Sequence, residues 1–303
     1  MHPLLAELIE PFERMTPAEA STILGEHYDL KPTALERLDT ERDDTFRVTT
    51  SRGELVLKVA HPQDDPSVID LQLAALEHAA STDPGLPLQR LVRTKGGDRA
   101  VATLGRVARV YEWMPGQLAR STSPTPAQLH ASGVMLGRLN LALSTFEHPA
   151  AGRSHAWDLR QLPALRELPA NPGTAEILER FDRLVLPALE KLPQQVIHND
   201  FHPGNLLVDA GSSDYVTGIL DFGDVLRSAR INDLGIALAY LSTGSSPWEA
   251  AQPMIAGFNS VVPLLDGERA LLPHLVAGRL VQRVMLSQLL SRTGEAASPE
   301  QGD

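Results

Sequence analysis

The sequence predicts an α+β fold with two lobes: a small N-terminal lobe on a mixed β-sheet and a mainly helical C-terminal lobe. The chain has 303 residues, and a single hydrophobic core stops growing near ~250–300 residues. Short β-type segments dominate the first third, whereas later residues place apolar side chains at helical spacing. We expect residues 1–113 to form the first lobe and 114–292 the helical lobe. Residues 293–303 have too few apolar side chains to pack and are expected to be a disordered tail.

The N-terminal lobe is predicted to begin with a helix that is followed by strands. Residues 16–19, Thr-Pro-Ala-Glu, place a capping hydroxyl, a proline at the first helical position and an acid three residues after the cap. This helix should run to about Gly25. Residues 51–53, Ser-Arg-Gly, suit a hairpin turn, so the segments on either side should pair antiparallel. The β-type segments are 34–38, 45–50, 54–60, a short stretch near Leu91, and 101–113.

Helical spacing of apolar residues predicts the remaining elements. Residues 66–80 form one such segment, which should pack on the sheet. Residues 114–116, Met-Pro-Gly, break the strand pattern and are expected to connect the two lobes. The helices predicted in the second lobe are 127–146, 174–191, 233–241 and 269–292, interrupted by one β-rich interlude at 196–224.

Composition and charge exclude several classes of function. Lys and Arg total 27 against 38 Asp and Glu, for a net charge of −11, so we expect neither nucleic acid nor an anionic membrane as a partner. The same charge would attract an amine-bearing substrate, although it could equally serve only solubility. The chain contains no cysteine, which rules out disulfides and thiolate chemistry.

The sequence shows no targeting or membrane segment. The N-terminal residues carry acids where a secretion signal would need basic residues, and no apolar run approaches the ~20 residues that span a bilayer. We therefore predict a cytoplasmic protein. The acidic balance neither requires nor forbids a dimer, so the oligomeric state stays open.

The β-rich interlude holds the residues that suggest chemistry. Asp200 and Asn205 lie on a loop between two apolar segments, and Asp221 begins an Asp-Phe-Gly sequence after another apolar strand. Phosphoryl transfer needs a carboxylate to orient and deprotonate the attacking hydroxyl, and hard oxygen ligands for Mg²⁺. An H-x-D-x-x-x-x-N segment followed by D-F-G has the order that protein kinases use. Asp200 therefore suits the role of base, and Asn205 and Asp221 suit metal binding.

These residues resemble the aminoglycoside phosphotransferase superfamily, which has a bilobal protein-kinase-like fold, and within it the hydroxylysine kinase branch. The likeness covers roughly residues 30–287. It implies a kinase that acts on small molecules. The segments that carry the resemblance are 41–46 (Glu-Arg-Asp-Asp-Thr-Phe), 57–59 (Leu-Lys-Val), 68–72 (Val-Ile-Asp-Leu-Gln), 114–116, 157–159 (Trp-Asp-Leu) and 218–224.

The resemblance also implies where the nucleotide binds. In that family, a lysine on the third strand of the small lobe binds the nucleotide phosphates and is held by an acid of the following helix. Lys58 matches the lysine. Its partner would be Asp70, where relatives commonly have glutamate, or Glu77 about two turns further on. The same resemblance places adenine against the backbone of Glu112 and Met114.

Residues 39–46 would cover the nucleotide phosphates by the same resemblance. They contain no glycine-rich motif, in contrast to protein kinases. This departure weighs against protein phosphorylation more than against nucleotide binding.

Other polar residues of the interlude have less specific interpretations. The resemblance assigns His198 a structural role in supporting the catalytic loop. Asp224 could meet a substrate amine or only satisfy backbone donors, and both interpretations stay open. Asp233 precedes a helical run, so it is expected to be an N-cap or a loop-holding acid rather than a substrate ligand.

Two alternatives compete with the kinase interpretation. His198 and His202 with Asp200 could bind a metal in a hydrolase, but the only later histidine is His274, so a further ligand would have to come from elsewhere. The second alternative is a pseudokinase that binds nucleotide without turnover. A kinase that has lost activity normally lacks the base or a metal ligand, and this sequence has residues for both roles: Asp200 as base, and Asn205 and Asp221 as metal ligands.

The sequence therefore predicts a kinase that uses Mg²⁺ and the γ-phosphoryl group of ATP, with GTP as the alternative donor. The acceptor is expected to be a small amine-containing alcohol or hydroxy amino acid. The resemblance favours hydroxylysine as the acceptor. Other acceptors found in the superfamily are homoserine, choline, ethanolamine and aminoglycosides.

Overall fold

The structure is a computed structural model that describes residues 2–40, 42–212, 214–241 and 247–293. Its strands are β1 (Pro32–Leu38), β2 (Asp44–Thr50), β3 (Gly53–Val59), β4 (Leu91–Val92), β5 (Val101–Thr103), β6 (Arg106–Glu112), β7 (Gln117–Leu118), β8 (Gln194–Ile197), β9 (Leu206–Val208), β10 (Val216–Ile219) and β11 (Leu226–Ala229). Its α-helices are α1 (Pro3–Leu8), α2 (Pro17–Tyr28), α3 (Pro66–Thr82), α4 (Pro126–Leu143), α5 (Pro172–Arg180), α6 (Leu186–Leu189), α7 (Ile231–Ala239), α8 (Pro247–Val261) and α9 (Asp266–Thr293). Segments of 3₁₀ helix lie at Ala119–Ser121, Pro149–Gly152 and Leu159–Glu167, and a π-helical turn lies at Phe181–Val185.

The first six strands form one antiparallel sheet in the order β1-β2-β3-β6-β4, with β5 paired to β6. The predicted hairpin across residues 51–53 is confirmed, because Thr45 of β2 lies opposite Lys58 of β3. Lys58 in turn lies opposite Arg109 of β6. Since directly opposed residues of neighbouring strands point to the same face of a sheet, Lys58 and Arg109 are neighbours on one face.

The two faces of this sheet pack against different helices. Leu57 of β3 belongs to a buried cluster with Leu24 of α2. Val56 belongs to the larger core, which includes Ile69 of α3 and continues into the second lobe. Lys58 follows Leu57, so its side chain points to the face of α3 and the second lobe. This is the orientation that the alternation of apolar residues around Lys58 predicts.

The second lobe contains two helices, α4 and α8, that touch backbone to backbone. A Cβ atom at Gly133 would lie 2.1 Å from the carbonyl oxygen of Met254, and one at Gly257 would lie 2.0 Å from that of His130. No side chain larger than glycine fits at either contact. Beside this pair, the fully buried helix α7 packs against α9.

The β-rich interlude of the second lobe brings two loops together. Strand β9 pairs with β10 and β7, and β11 pairs with β8. The amide of Leu220 donates to the carbonyl oxygen of Asn205 at 2.8 Å. The loop after β8 and the loop after β10 therefore lie side by side, as the two halves of the motif require.

Two helix predictions need correction. The segment 174–191 is not one helix, because α5 gives way to a π-helical turn and then to α6. Pro187 lacks an N–H, so the regular α-helical bond to the carbonyl oxygen four residues earlier is missing next to the π-helical turn. The helix expected from Asp233 begins at Ile231, and its N-cap is Arg230.

The lobe boundaries at 113 and 292 stay predictions. Apart from Thr293, which ends α9, the predicted disordered tail at 293–303 lies outside the described residues. None of the described helices combines the length and the hydropathy that a transmembrane segment requires.

Candidate active site

The loop after β8 carries Asp200 and is held by Asp233 of α7. The Asp233 carboxylate is fully buried and accepts hydrogen bonds from the backbone amides of His198 at 3.3 Å and Asn199 at 2.8 Å. The Nδ2 of Asn140 donates to the same carboxylate at 3.3 Å. Asn199 has a left-handed backbone with φ of 65°, a strained conformation that persists only where surrounding contacts enforce it. Asp233 is therefore a loop-holding acid, which is one of the two roles predicted for it.

The two oxygens of Asp200 face three side-chain donors. Oδ1 accepts from Nη2 of Arg279 at 2.9 Å, and Oδ2 accepts from Nδ2 of Asn205 at 2.7 Å and lies 3.3 Å from Nε2 of His202. Burial raises the pKa of Asp200, but the contacts with His202 and Arg279 lower it by more, so the pKa lies well below the ordinary value. The carboxylate is therefore ionised and fixed in orientation at neutral pH.

The tautomer of His202 follows from two of its contacts. Its Nδ1 accepts a hydrogen bond from the amide of Gly204 at 2.9 Å, so this nitrogen carries no proton. The ring proton is therefore on Nε2, which faces Asp200. The imidazole also stacks on Tyr240 with 4.6 Å between ring centroids. His202 thus acts as a positioned donor to Asp200.

His198 ties the catalytic loop to the loop that carries Asp221. Its Nε2 lies 3.1 Å from the carbonyl oxygen of Leu220, and its Nδ1 accepts from the amide of Asp200 at 3.3 Å. Burial lowers the pKa of His198 by more than the nearby carboxylates raise it, so the ring is neutral. These contacts are those of a structural residue, and they occupy the two nitrogens that the hydrolase alternative would use for a metal.

Asp221 follows β10 and also has a left-handed backbone, with φ of 58°. Its Oδ1 accepts from the amide of Gly223 at 3.0 Å, and its Oδ2 accepts from Nζ of Lys58 at 2.8 Å. Burial raises the pKa of Asp221, but Lys58 lowers it by more, while Asp200 is close enough to oppose Lys58. The two carboxylates therefore belong to one site, and Lys58 reaches it from the sheet.

The predicted pair between Lys58 and Asp70 is wrong in this structure. More than half of the Asp70 side chain, 56%, is exposed, and its carboxylate contacts Nη1 of Arg99 and Nε2 of His148, each at 3.2 Å. Residues two positions apart on an α-helix point in nearly opposite directions. The side of α3 that faces the site therefore carries Gln72, whose Nε2 donates to the carbonyl oxygen of Gly223 at 3.1 Å.

The fallback partner, Glu77, also points away from Lys58. Its carboxylate contacts Nε of Arg99 at 2.6 Å and also bonds to Arg93. Both acids of α3 thus pair with arginines of the segment between α3 and β6. No acid of this helix is left to orient the lysine.

A second buried cation, Arg109, lies beside Lys58. Only 3% of its side chain is exposed, and its Nη2 bonds to Oδ2 of Asp43 at 2.7 Å. Asp43 belongs to the segment 39–46, which is expected to cover the phosphates. Sequence reasoning missed Arg109, although an arginine within an apolar strand is a signal that could have found it.

Arg279 is the other functional residue that sequence reasoning missed. Its side chain is 1% exposed, and besides Asp200 it bonds through Nη1 to the carbonyl oxygen of Trp157 and to Oε1 of Gln282, each at 3.1 Å. The guanidinium also lies over the indole of Trp157, 4.8 Å from the ring centroid. A charged residue within the apolar run of α9 is the one signal in the sequence.

Asp224 lies among imidazole and guanidinium groups. Its Oδ1 is 3.5 Å from Nδ1 of His155. Burial and the neighbouring Asp200 raise the pKa of Asp224 well above its ordinary value, against the effect of Arg153. Burial and Arg153 lower the pKa of His155, so this ring is uncharged. A carboxyl whose ionised form is disfavoured in this way gains from contact with a cationic ligand.

The predicted adenine-binding residues, Glu112 and Met114, lie where β6 passes into the connector. The amide of Glu112 donates to the carbonyl oxygen of Arg90 at 2.9 Å, and that of Trp113 donates to Glu54 at 3.1 Å. These bonds anchor the connector to its neighbours. The roles of Glu112 and Met114 towards adenine stay predictions.

A cavity of about 480 Å³ opens beside the catalytic loop, with a mainly apolar lining. His202 and Tyr240 border it, whereas Asp200 is not among its lining residues. The cavity adjoins the site around Asp200 through His202.

The fold and the site define a kinase-type phosphotransferase. The carboxylates of Asp200 and Asp221 and the amide of Asn205 lie on adjacent loops of the helical lobe, and Lys58 from the sheet reaches them. A model of the phosphotransferase enzyme family matches residues 35–272, and the chain belongs to this family. It is accordingly an ATP-dependent small-molecule kinase that acts on an alcohol group.

Curated relatives match most of the chain. A hydroxylysine kinase of Mus musculus is 27% identical over 308 residues, which cover 90% of this chain and 81% of that protein. A homoserine kinase of Gluconacetobacter diazotrophicus is 29% identical over 263 residues, which cover 82% of this chain and 77% of that protein.

Solved structures share the protein-kinase-like fold. An amicoumacin kinase in complex with AMP-PNP, Ca²⁺ and Ami matches with a TM-score of 0.75 and 18% identity, over 95% of this chain and 90% of that one. A microcompartment-associated aminopropanol kinase matches with a TM-score of 0.73 and 22% identity, over 94% and 92%. The predicted fold class is confirmed.

Proposed function

We propose that this protein transfers the γ-phosphoryl group of ATP to a hydroxyl of a small amine-containing alcohol or hydroxy amino acid, with Asp200 as the base. The observation that carries the proposal is the geometry of Asp200. Its two oxygens face three side-chain donors, one from α9 and two from the loop after β8, and its pKa keeps it ionised. A carboxylate held in this way can orient the attacking hydroxyl and accept its proton as the new P–O bond forms.

Lys58 is the group that we assign to the nucleotide phosphates. Burial lowers the pKa of Lys58, but Asp221 and Asp43 raise it by more, so the side chain remains an ammonium at neutral pH. A cation fixed at the sheet can hold phosphate oxygens in place without rearrangement. The backbone of Glu112 and Met114 would receive the adenine, with GTP as the alternative donor.

Asn205 and Asp221 would hold the Mg²⁺ that accompanies the nucleotide. Asn205 uses its Nδ2 to bind Asp200, which directs its amide oxygen away from that carboxylate. Amide and carboxylate oxygens are the hard donors that Mg²⁺ prefers, so the residues present fit the ion. When bound, the ion would neutralise charge on the phosphates.

Asp224 is our candidate for recognition of the acceptor amine. Its pKa is raised because it is buried close to Asp200, so an ammonium group brought next to it would stabilise the ionised carboxyl. This contact would also place the acceptor beside Asp200. The neighbouring His155 is neutral and does not compete as a cation.

Hydroxylysine is the acceptor that the comparisons favour, because hydroxylysine kinases of four animals match about nine-tenths of the chain at 25–28% identity. Homoserine is the second candidate, since several bacterial homoserine kinases match at 24–29% identity. Both molecules combine a hydroxyl with an amine.

The test is nucleotide consumption by the purified protein with ATP and Mg²⁺ against a panel of acceptors. The panel contains hydroxylysine, homoserine, aminopropanol, choline, ethanolamine and an aminoglycoside. Asp200→Asn removes the proposed base. Asp182→Asn is the matched control, because the contact described for Asp182 is a surface ion pair with Arg166.

Turnover that depends on hydroxylysine or homoserine, is lost in Asp200→Asn and is retained in Asp182→Asn is the expected result. Turnover with choline or the aminoglycoside alone would contradict the proposed acceptor class. Mg²⁺-dependent ATP binding without turnover on any acceptor would favour the pseudokinase alternative.

A further inference from the structure

Arg109 is a buried cation that lies opposite Lys58 in the sheet. Its Nη2 bonds to Asp43, and Tyr111 of the same strand is a further hydrogen-bonding neighbour. The Arg109 side chain borders a small pocket together with Lys58 and Asp221. A buried guanidinium is costly unless a carboxylate compensates it, and Asp43 is the carboxylate that does so here.

Asp43 reaches this position from a loop that has no glycine. The residues on either side of Asp43 are anchored by ion pairs: Nη2 of Arg42 lies 2.7 Å from Asp64, and the buried Asp44 lies 2.7 Å from Nη1 of Arg106. Ion pairs, rather than glycine flexibility, therefore fix the conformation of the segment 42–44. Of the three ion pairs made by residues 42, 43 and 44, the pair of Asp43 with Arg109 is the one that lies beside Lys58.

Two cations, Lys58 and Arg109, and two acids, Asp43 and Asp221, form a cluster of balanced charge. The pKa of each cation is affected by both acids. Burial lowers the pKa of Lys58, and Asp221 and Asp43 raise it by more. Burial likewise lowers the pKa of Arg109, and Asp43 and Tyr111 together raise it by more, with a further contribution from Asp221. Asp43 thus adds to the negative charge that Asp221 brings directly to Lys58, whereas neither acid of α3 reaches the lysine.

We propose that the Asp43–Arg109 pair is a latch that fixes the segment 42–44 to the sheet and, together with Asp221, holds Lys58 in place for the nucleotide phosphates. This is the role predicted for an acid of α3. Asp43 and Arg109 are positioning residues on this account. The proposal rests on the nucleotide-binding part of the proposed function and is independent of which acceptor is used.

The latch predicts a selective loss of phosphate recognition. We expect Asp43→Asn and Arg109→Gln each to weaken ATP binding by about 10- to 100-fold, because the loss of one charge-assisted hydrogen bond to a phosphate weakens binding by about that factor. Adenosine contains no phosphate, so its affinity should change by less than about twofold. Because the two residues act as one unit, the double variant should lose no more than the worse single variant.

Calorimetric titration with ATP and with adenosine tests these expectations, with melting temperatures recorded for every variant. Asp43→Asn is the principal variant, because Arg109→Gln leaves a gap in the buried cleft, and Arg109→Lys should recover part of the ATP affinity. Asp83→Asn is the matched control, because it breaks another half-buried ion pair, with Arg138 at 2.7 Å. Its ATP affinity should equal that of the unaltered protein.

Asp70→Asn distinguishes the latch from the pairing expected by resemblance. The latch predicts unchanged ATP affinity in Asp70→Asn, and a loss of ATP affinity in this variant with none in Asp43→Asn would overturn the proposal. Equal losses for adenosine and ATP, or additive effects of Asp43→Asn and Arg109→Gln, would overturn it as well. Failure of the unaltered protein to bind ATP would instead contradict nucleotide-dependent function itself.

Discussion

The two regions that carry the groups proposed for phosphoryl transfer are held together in different ways. In the second lobe, Asp200 bonds to Asn205, five positions away, and Asp221 bonds to an amide two positions away. In the first lobe, Lys58 bonds to a residue 163 positions away, and Arg109 to one 66 positions away. The loop of Asp200 is thus organised partly by bonds between near neighbours and partly by Asp233 and Arg279. The cited bonds of Lys58 and Arg109, in contrast, all join distant elements.

This difference shows which side-chain contacts can be inferred from a short sequence motif. Contacts within a short motif follow from the local chain path, so they recur wherever the motif folds. A pair between a strand and a helix depends on how the whole lobe packs, and the expected contact of Lys58 with Asp70 fails for that reason. We therefore expect changes in the second lobe to affect chemistry, and changes in the first lobe to affect nucleotide binding.

The largest effect is expected for Asp200→Asn. The amide cannot accept the proton of the attacking hydroxyl, so kcat should fall by on the order of 10²–10⁴, while ATP affinity changes little. Turnover and ATP binding measured on the same preparation check this. Near-normal kcat in Asp200→Asn would show that Asp200 is not the base. It would also contradict the expectation that changes in the second lobe affect chemistry.

Arg279→Gln should have the next largest effect, because it removes the buried cation that pairs with Oδ1 of Asp200. The pKa of Asp200 is lowered partly by Arg279, so the variant should have a higher pKa there. Since Asp200 acts in its ionised form, the acid limb of the profile of kcat/KM against pH should shift to higher pH. An unshifted acid limb would show that Arg279 serves only packing, and Arg279→Lys should restore most of the normal profile.

Asp224→Asn should weaken binding of the acceptor and increase the stability of the folded protein. The folded state raises the pKa of Asp224, so its ionisation costs stability once the pH exceeds the unfolded value of about 3.9. The variant should therefore melt a few degrees higher at pH 7 and about the same at pH 4. KM for the amine-bearing acceptor should rise by about tenfold or more, since a charged hydrogen bond is lost. A lower melting temperature at pH 7 with unchanged KM would contradict both roles.

The smallest effect is expected for Glu77→Gln. Its ion pairs with Arg93 and Arg99 are partly exposed, and such pairs contribute about 0–1 kcal/mol. ATP affinity should stay within about twofold of normal, because Glu77 does not reach Lys58. A larger loss of ATP affinity would mean that α3 helps to orient the lysine after all.

The catalytic loop is the part of the site that the sequence predicts best. Asp200, Asn205 and Asp221 lie together because short strands flank both loops, and these strands are visible in the sequence as short apolar runs. The hairpin that presents Lys58 is predictable for the same reason, since its turn residues lie next to the strands they join.

The residues that sequence reasoning missed are those that reach the site from far along the chain. Arg279 meets Asp200 only because α9 packs beneath the catalytic loop, and Arg109 meets Asp43 only because β6 lies next to β3. No spacing rule relates such pairs. Their one signal is a charged residue inside an apolar element, which indicates a buried partner without identifying it.

The central claim is that this chain phosphorylates a hydroxyl group through Asp200, and its most direct test is phosphorus NMR of the product formed from ATP, Mg²⁺ and hydroxylysine. The account predicts a phosphate-ester signal that grows with the unaltered protein and with Asp182→Asn, and does not grow with Asp200→Asn. An ester that forms equally fast with Asp200→Asn would contradict the account.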